Sequence, residues 1–225
     1  MQNIFLAGSS RGVGREIAKL LLEKEPPSFK LTTLLRNPTY AVELEALGAI
    51  AVLGDALDYA SLESAMLQGE AIDVVISTIG SVPNEIGDRA DGKGNQNLID
   101  VAVKACVKKF ILVTSIGIGE SSAAIPPQVL QSLSKVLQEK EKAEQHLIAS
   151  GLTYIIIRPG GLKSETSTGN AILTEDPRIA GIIHRADVAR LICDCLNSDK
   201  ADNKTFAAVD RNMLFNQIEF EAFMF

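Results

Sequence analysis

No run of apolar residues in this 225-residue chain is long enough to span a bilayer, and its lysines and arginines gather into no cluster. The first absence argues against a membrane-spanning helix. The second, with a formal net charge of −6, argues against a nucleic-acid surface, whose affinity rests on neutralising phosphates. Cysteines number only three, Cys106, Cys193 and Cys195, an odd set without zinc spacing. They read as reduced, buried thiols, because a free cysteine packs as a small hydrophobe. The two histidines, His146 and His184, have no spacing partner for a metal or a nucleophilic triad, so surface or capping roles and no metal are expected. Of the three tyrosines, Tyr40, Tyr59 and Tyr154, none is followed four residues later by lysine; Leu44, Glu63 and Arg158 stand there instead. Met1-Gln2-Asn3 leads directly into an apolar strand with no basic region or cleavage site, which predicts a cytoplasmic protein.

What the chain does contain is an apolar share of 46 %, enough for a packed core, arranged as short β-rich runs alternating with longer helical patterns. That alternation predicts an α/β fold: a single doubly wound parallel sheet of Rossmann type, with helices on both faces, over residues 1–225. Strands are expected near Ile4–Ala7, Lys30–Leu35, Ile50–Leu53, Val74–Thr78, Phe110–Thr114, Thr153–Ile157 and Thr205–Val209. Ile17, Leu20 and Leu21 mark a helix after the first strand, and Leu98 to Lys109 reads as another. Pro126-Pro127 precedes a long charged helix over Gln128 to Ser150, which Gly151 stops. Gly160 to Arg178, rich in Gly, Ser and Thr, is the expected mobile loop near a site. Residues 213–225 form an apolar extension that either packs back over the domain or makes a dimer contact, so the chain is expected as monomer or homodimer.

GSSRGVG, residues 8 to 14, follows an apolar strand and opens a helix, the context that makes a glycine pattern a dinucleotide fingerprint. Gly8 permits the sharp turn, Gly12 lets backbone approach a pyrophosphate, and Gly14 allows close packing of helix on strand; Ser10 and Val13 belong to the same cradle. NAD-binding proteins usually place a carboxylate at the end of the second strand, yet LTTLLRNP puts Arg36 there. A carboxylate would repel a 2′-phosphate, whereas guanidinium groups bind it, so Arg11 and Arg36 point to NADP(H) over NAD(H). Asp55, beside Ala56 after the third strand, either takes the adenine amino group or caps the next helix. The backbone from Ser77 to Ser81, with Thr78, Ile79 and Gly80, is expected on the ribose side.

These segments resemble the short-chain dehydrogenase/reductase superfamily. GSSRGVGRE is similar to the loop of its typical members, while GKGNQNLIDVAVKACVKKFILVTSIG, KAEQHLIASGLTYIIIRPGGL and HRADVARLICDCL follow its atypical, NmrA-like branch over nearly the whole chain. Within that branch RPGGLKSETSTGNAIL, VTSIG and IPPQ resemble the biliverdin-IXβ reductase/flavin reductase family. Arg11 stands where that family carries a glycine, and Gly160-Gly161 where it has bulkier residues. The resemblance implies a compact NADPH-dependent oxidoreductase whose partner is a small molecule, a flavin such as FMN or a linear tetrapyrrole. Typical members use a Tyr-x-x-x-Lys pair as acid and ribose anchor; here Gln138 stands at the tyrosine position and Lys142 at the lysine position of QEKEKAEQHL. Lys142 therefore either holds the nicotinamide ribose or is one of several solvated lysines. Losing a general acid costs ~10²- to 10⁴-fold in a step that needs proton transfer. Carbonyl and sugar-epimerase chemistry is disfavoured, and a conjugated acceptor that spreads the incoming charge is favoured. Thr114 and Ser115 after the fifth strand, with Ser115 touching nicotinamide or acceptor, and Pro159-Gly160-Gly161 are expected to complete the site. A non-catalytic NADP(H)-sensing regulator or assembly factor is the rival reading.

Overall fold

The computed structural model describes residues 1–23, 28–80 and 89–225. Strand β1 (Gln2–Ala7) shows how the fold is built. Successive side chains of a strand point to opposite faces, and here both faces are apolar. Ile4 and Leu6 enter one core and Phe5 and Ala7 the other. Such a strand belongs in the middle of a sheet covered on both sides.

Around it lie β2 (Phe29–Leu35), β3 (Ile50–Leu53), β4 (Val74–Ser77), β5 (Lys109–Val113), β6 (Thr153–Pro159), β7 (Gly161–Lys163), β8 (Ala171–Thr174), β9 (Ile182–His184) and β10 (Lys204–Asp210). Eight of them form one sheet in the order β3-β2-β1-β4-β5-β6-β10-β8, parallel except for β8, which runs antiparallel to β10. The remaining two, β7 and β9, pair in parallel. The chain winds outward from β1 through β2 and β3, returns to β4 beside β1, and winds outward the other way. The strand order therefore reverses between β1 and β4, the place where an open α/β sheet leaves a crevice beyond its strand ends.

Helices α1 (Gly12–Leu22), α2 (Ala41–Ala46) and α6 (Arg185–Leu196) cover one face, and α3 (Tyr59–Leu67), α4 (Asn95–Lys104) and α5 (Pro127–Ala149) the other. Ile17 and Leu21 of α1 and Val188 and Ile192 of α6 are buried in the same cluster, each contributing roughly 1.5–3 kcal/mol by leaving water. This packing fixes the start of α6 close to the start of α1.

The seven expected strands are present, with ends moved by no more than two residues. Three short strands were not foreseen. β7 and β8 lie within the stretch expected as a mobile loop, where strands of three and four residues are too short to carry a readable alternation; distant partners, β9 and β10, make them strands. The helix expected to run to Lys109 ends at Lys104, because Cys106 takes a left-handed φ of 54° and turns the chain into β5. Cys106 is exposed, against expectation, whereas Cys193 and Cys195 are buried; burial pushes the Cys195 thiol up to about 12. The C-terminal segment lies against the domain. Phe223 packs against Phe206 with tilted rings whose centroids are 4.7 Å apart, and its N–H donates to the Leu173 carbonyl at 2.8 Å.

Candidate functional site

A cleft of about 1130 Å³ opens at the strand-order reversal. Its floor is the glycine loop. Gly8, with φ +99°, turns the chain out of β1, and a side chain there would strike Thr78, whose Oγ1 donates to the Ala7 and Gly8 carbonyls at 3.2 and 3.3 Å. A Cβ at Gly14 would lie 2.5 Å from the same hydroxyl and closer still to the Gly8 carbonyl oxygen, so only glycine fits there. Gly12, with φ +61°, begins α1, and no side chain caps that helix, so its first N–H groups face the cleft as an anion cradle. Gly8, Ser10, Arg11, Gly12 and Val13 line the cleft; Gly14 lies beneath it as packing.

At the end expected for adenosine, Arg36, Asn37 and Tyr40 follow β2, and Gly54, Asp55 and Ala56 follow β3. Asp55 does not cap α3: its Oδ1 accepts from the Leu57 N–H at 3.0 Å, while Asp58 caps the helix through the Ala60 and Ser61 N–H groups. Asn97 of α4 holds this turn by donating to the Ala56 carbonyl at 3.0 Å, and its neighbour Asn95 holds the turn at residues 90–94 by donating to the Ala90 and Asp91 carbonyls. Both asparagines are buried, and the sequence reading assigned them nothing, although the GKGNQN string was visible. Arg11 and Arg36 line the cleft with no carboxylate partner among the described residues.

The opposite end differs. Thr78, Ile79, Gly80 and Thr114 line it as expected. Ser81 lies outside the described residues. Thr114 donates its hydroxyl proton to buried Glu144 at 2.6 Å, and Glu144 also receives Arg158 Nε at 3.0 Å and Nη2 at 2.5 Å. The Thr114 oxygen therefore offers only lone pairs to the cleft. Lys142 points away, 59 % exposed and paired with Glu139 at 2.6 Å. Lys140 is the lysine of α5 that lines the cleft, 3.2 Å from buried Asp91. Spacing could have shown this: Leu137, Lys140, Glu144 and Leu147 share one helix face, and the other three are buried.

Four further expected residues are not brought to the cleft wall. Ser115 donates its hydroxyl to the Ile116 carbonyl at 2.9 Å. Pro159, Gly160 and Gly161 lie in or beside β6 and β7, where the Gly160 N–H donates to Ala208 and a Cβ at Gly160 would collide with the Gly181 carbonyl. The missing side chain of Gly160 makes room for the chain at Gly181. The cleft wall comes instead from Leu162 and from Ser164, Glu165, Thr166 and Ser167 just beyond β7.

That wall is clamped from α6. Asp187 accepts from Ser167 Oγ at 2.5 Å, Thr168 N–H at 2.9 Å and Gly169 N–H at 3.2 Å, and Thr168 Oγ1 also meets Asp210 of β10. Burial opposes ionisation of Asp187 most strongly, yet these donors together outweigh it and hold the carboxyl below 3.8. His184 is no surface residue. It is buried, with Nε2 3.2 Å from Glu165, and it gathers with Asp187 and Asp210 within 4.8 Å. The carboxylates' acceptor positions go to Ser167, Thr168, Gly169 and Asn212, so the cluster holds the wall in place. His146 is exposed, as expected, beside Asp100. Arg185 and Arg190, which the sequence reading also missed, complete the lining from α6.

Residues 8–199, spanning both the cradle and this wall, match the family described as NAD(P)H-binding. The chain belongs to that family. This NAD(P)H-binding chain is of the atypical short-chain dehydrogenase/reductase type, an oxidoreductase family with reductase neighbours. It is similar to an uncharacterised sugar epimerase of Bacillus subtilis (strain 168), 31 % identical over 90 % of this chain and 92 % of that one. It is similar also to sanguinarine reductase of Eschscholzia californica, 27 % identical over 96 % and 95 % of the two chains. Among solved structures, ChuY, an anaerobilin reductase from Escherichia coli O157:H7, superposes with a TM-score of 0.84 at 28 % identity, covering 94 % and 98 %. No helix among the described residues is long and apolar enough to cross a membrane.

Proposed function

We propose that the chain is an NADPH-dependent reductase that passes hydride to a flat conjugated acceptor, a flavin such as FMN or a linear tetrapyrrole. The observation that carries the cofactor choice is Arg36: it lines the cleft at the end of β2, where an NAD site places a carboxylate, and with Arg11 it leaves two guanidiniums free for a 2′-phosphate. The bound cofactor would supply the hydride. The protein supplies position and charge. The glycine loop and the start of α1 hold the pyrophosphate, Asp55 stands where the adenine amino group would lie, and Lys140, tied to Asp91, is placed to hold the nicotinamide ribose. Thr114 offers an acceptor oxygen oriented by Glu144.

The acceptor class follows from what the cleft lacks. Tyr40 is the tyrosine of its described lining, and it stands at the adenosine end, away from Lys140. A flavin or bilin delocalises the added electron pair, so water can deliver the proton afterwards, whereas a sugar epimerase needs an acid and base at the reacting carbon. The likeness to a protein named as an anaerobilin reductase supports the bilin side of this reading. The missing acid also suits the second reading, a non-catalytic NADP(H)-sensing protein. Paired NADPH and NADH titrations followed by turnover with FMN, biliverdin and a quinone test the proposal. NADPH should bind more tightly and be oxidised faster with FMN or biliverdin. Tight NADPH binding with no turnover on the whole panel would leave the sensor reading standing in its place.

A further inference from the structure

We infer that Arg185 is a second anchor for the cofactor pyrophosphate, brought to the glycine loop by α6 from the opposite end of the chain. Gly12 is the backbone position that a pyrophosphate approaches. A Cβ built there would lie 3.7 Å from Arg185 Nε and 3.9 Å from its Cδ, so the arginine side chain passes directly over the loop. Its Nη1 donates to the Leu162 carbonyl at 3.3 Å and to Ser164 Oγ at 2.7 Å. A guanidinium has five N–H donors. Those on Nε and Nη2 have no partner among the described residues, and Nε is the atom nearest Gly12. Among the described residues no carboxylate pairs with the guanidinium.

The position is not an accident of a long side chain. Arg185 is the first residue of α6, whose Val188 and Ile192 are buried with Ile17 and Leu21 of α1, so the two helix starts are held in register by the core. One end of the guanidinium is fixed to the wall beyond β7; the other is left for an anion. A phosphate lying on the N–H groups at the start of α1 would then be held from below by backbone and from above by Arg185. Arg185 thereby ties cofactor binding to the Leu162–Ser164 wall. The pyrophosphate is common to NADH and NADPH, so this anchor strengthens both equally, whereas Arg11 and Arg36 act on the 2′-phosphate alone.

This inference rests on reading the cleft as the dinucleotide site, and the test separates the two. Dissociation constants for NADPH, NADH and adenosine 2′-monophosphate are measured for wild type, Arg185→Gln and Arg36→Ala. Glutamine keeps a polar group for Leu162 and Ser164 and removes the charge. Arg185→Gln should weaken NADPH and NADH together by roughly 10- to 100-fold, the loss of one charged hydrogen bond. It should leave adenosine 2′-monophosphate, which has no pyrophosphate, unchanged. Unaltered binding of both dinucleotides, or weakening of NADPH alone, overturns the assignment. Wild-type protein that binds neither dinucleotide overturns the cleft reading and this one with it. A second measurement needs no variant: phenylglyoxal modification of wild-type arginines, mapped by peptide, should be blocked at Arg185 by NADH but not by adenosine 2′-monophosphate. Equal modification of Arg185 with and without NADH refutes it.

Discussion

The two ends of the cleft treat charge in opposite ways. At the end proposed for adenosine Arg11 and Arg36 have no carboxylate partner among the described residues and stand at the surface. Toward the other end Lys140 is paired with Asp91 at 3.2 Å and, behind the lining, Arg158 with Glu144 at 2.5 Å, both carboxylates buried, while Arg185 on the α6 wall has no carboxylate partner among the described residues. An unpaired guanidinium at a crevice is ready for an anion, because the desolvation of the pair is completed only when the ligand arrives. A paired one in the interior cancels its own field and holds neighbouring groups in place. The first end thus leaves its charges open to an anion, while at the second the buried pairs hold the lining in shape and Arg185 keeps an open charge beside the glycine loop.

Breaking a pair at the second end should have the largest effect. Glu144→Ala leaves Arg158 partly buried without its carboxylate and Thr114 without its acceptor; about 3 kcal/mol of stability should be lost, read as a lower urea midpoint. If stability is unchanged, the contrast between paired and unpaired ends is wrong. At the first end Arg36→Ala should leave folding alone and weaken NADPH by roughly 10- to 100-fold with NADH within about twofold, by titration calorimetry. An equal loss for both cofactors would move Arg36 off the 2′-phosphate.

Smaller effects sharpen the comparison. Lys140→Ala should lower NADPH affinity or turnover by about tenfold, while Lys142→Ala, whose exposed pair with Glu139 is worth ~0–1 kcal/mol, should change neither beyond twofold. The acid limb of stability should be the mildest readout. Asp187 has a folded-state pKa lowered from 3.8, so its contribution is fully present above that value and is lost as pH falls through the lower, folded value. Melting temperature measured from about pH 5 downward should fall more steeply in wild type than in Asp187→Asn. Parallel curves would show that the clamp does not titrate.

Most of the cleft lining at the end proposed for adenosine could be read from the sequence. The glycine string after β1, Arg36 at the end of β2 and Asp55 after β3 lie in consecutive βα units, where turn chemistry and strand ends are local signals. The nicotinamide end was read less well. Lys142 was expected at the cleft and Lys140 lines it, Ser115 turns to a neighbouring carbonyl, and Gly160 makes room for the Gly181 carbonyl rather than lining the cleft. That end is assembled from β5, α5, β7 and α6, and which side chain faces inward depends on helix rotation and on the path of short strands that carry no periodic pattern.

What the sequence alone determined was the order of strands and helices, the glycine loop before the first helix, the arginine at the second strand and the absence of a Tyr-x-x-x-Lys pair, because each is written within a few residues. The meeting of Arg185 with Gly12, of Glu144 with Arg158 and Thr114, and of Asp187 with Thr168 was decided only by the tertiary structure. These partners come together because the reversed sheet order and the shared core of α1 and α6 set their distances, and no local pattern encodes a distance between remote parts of a chain.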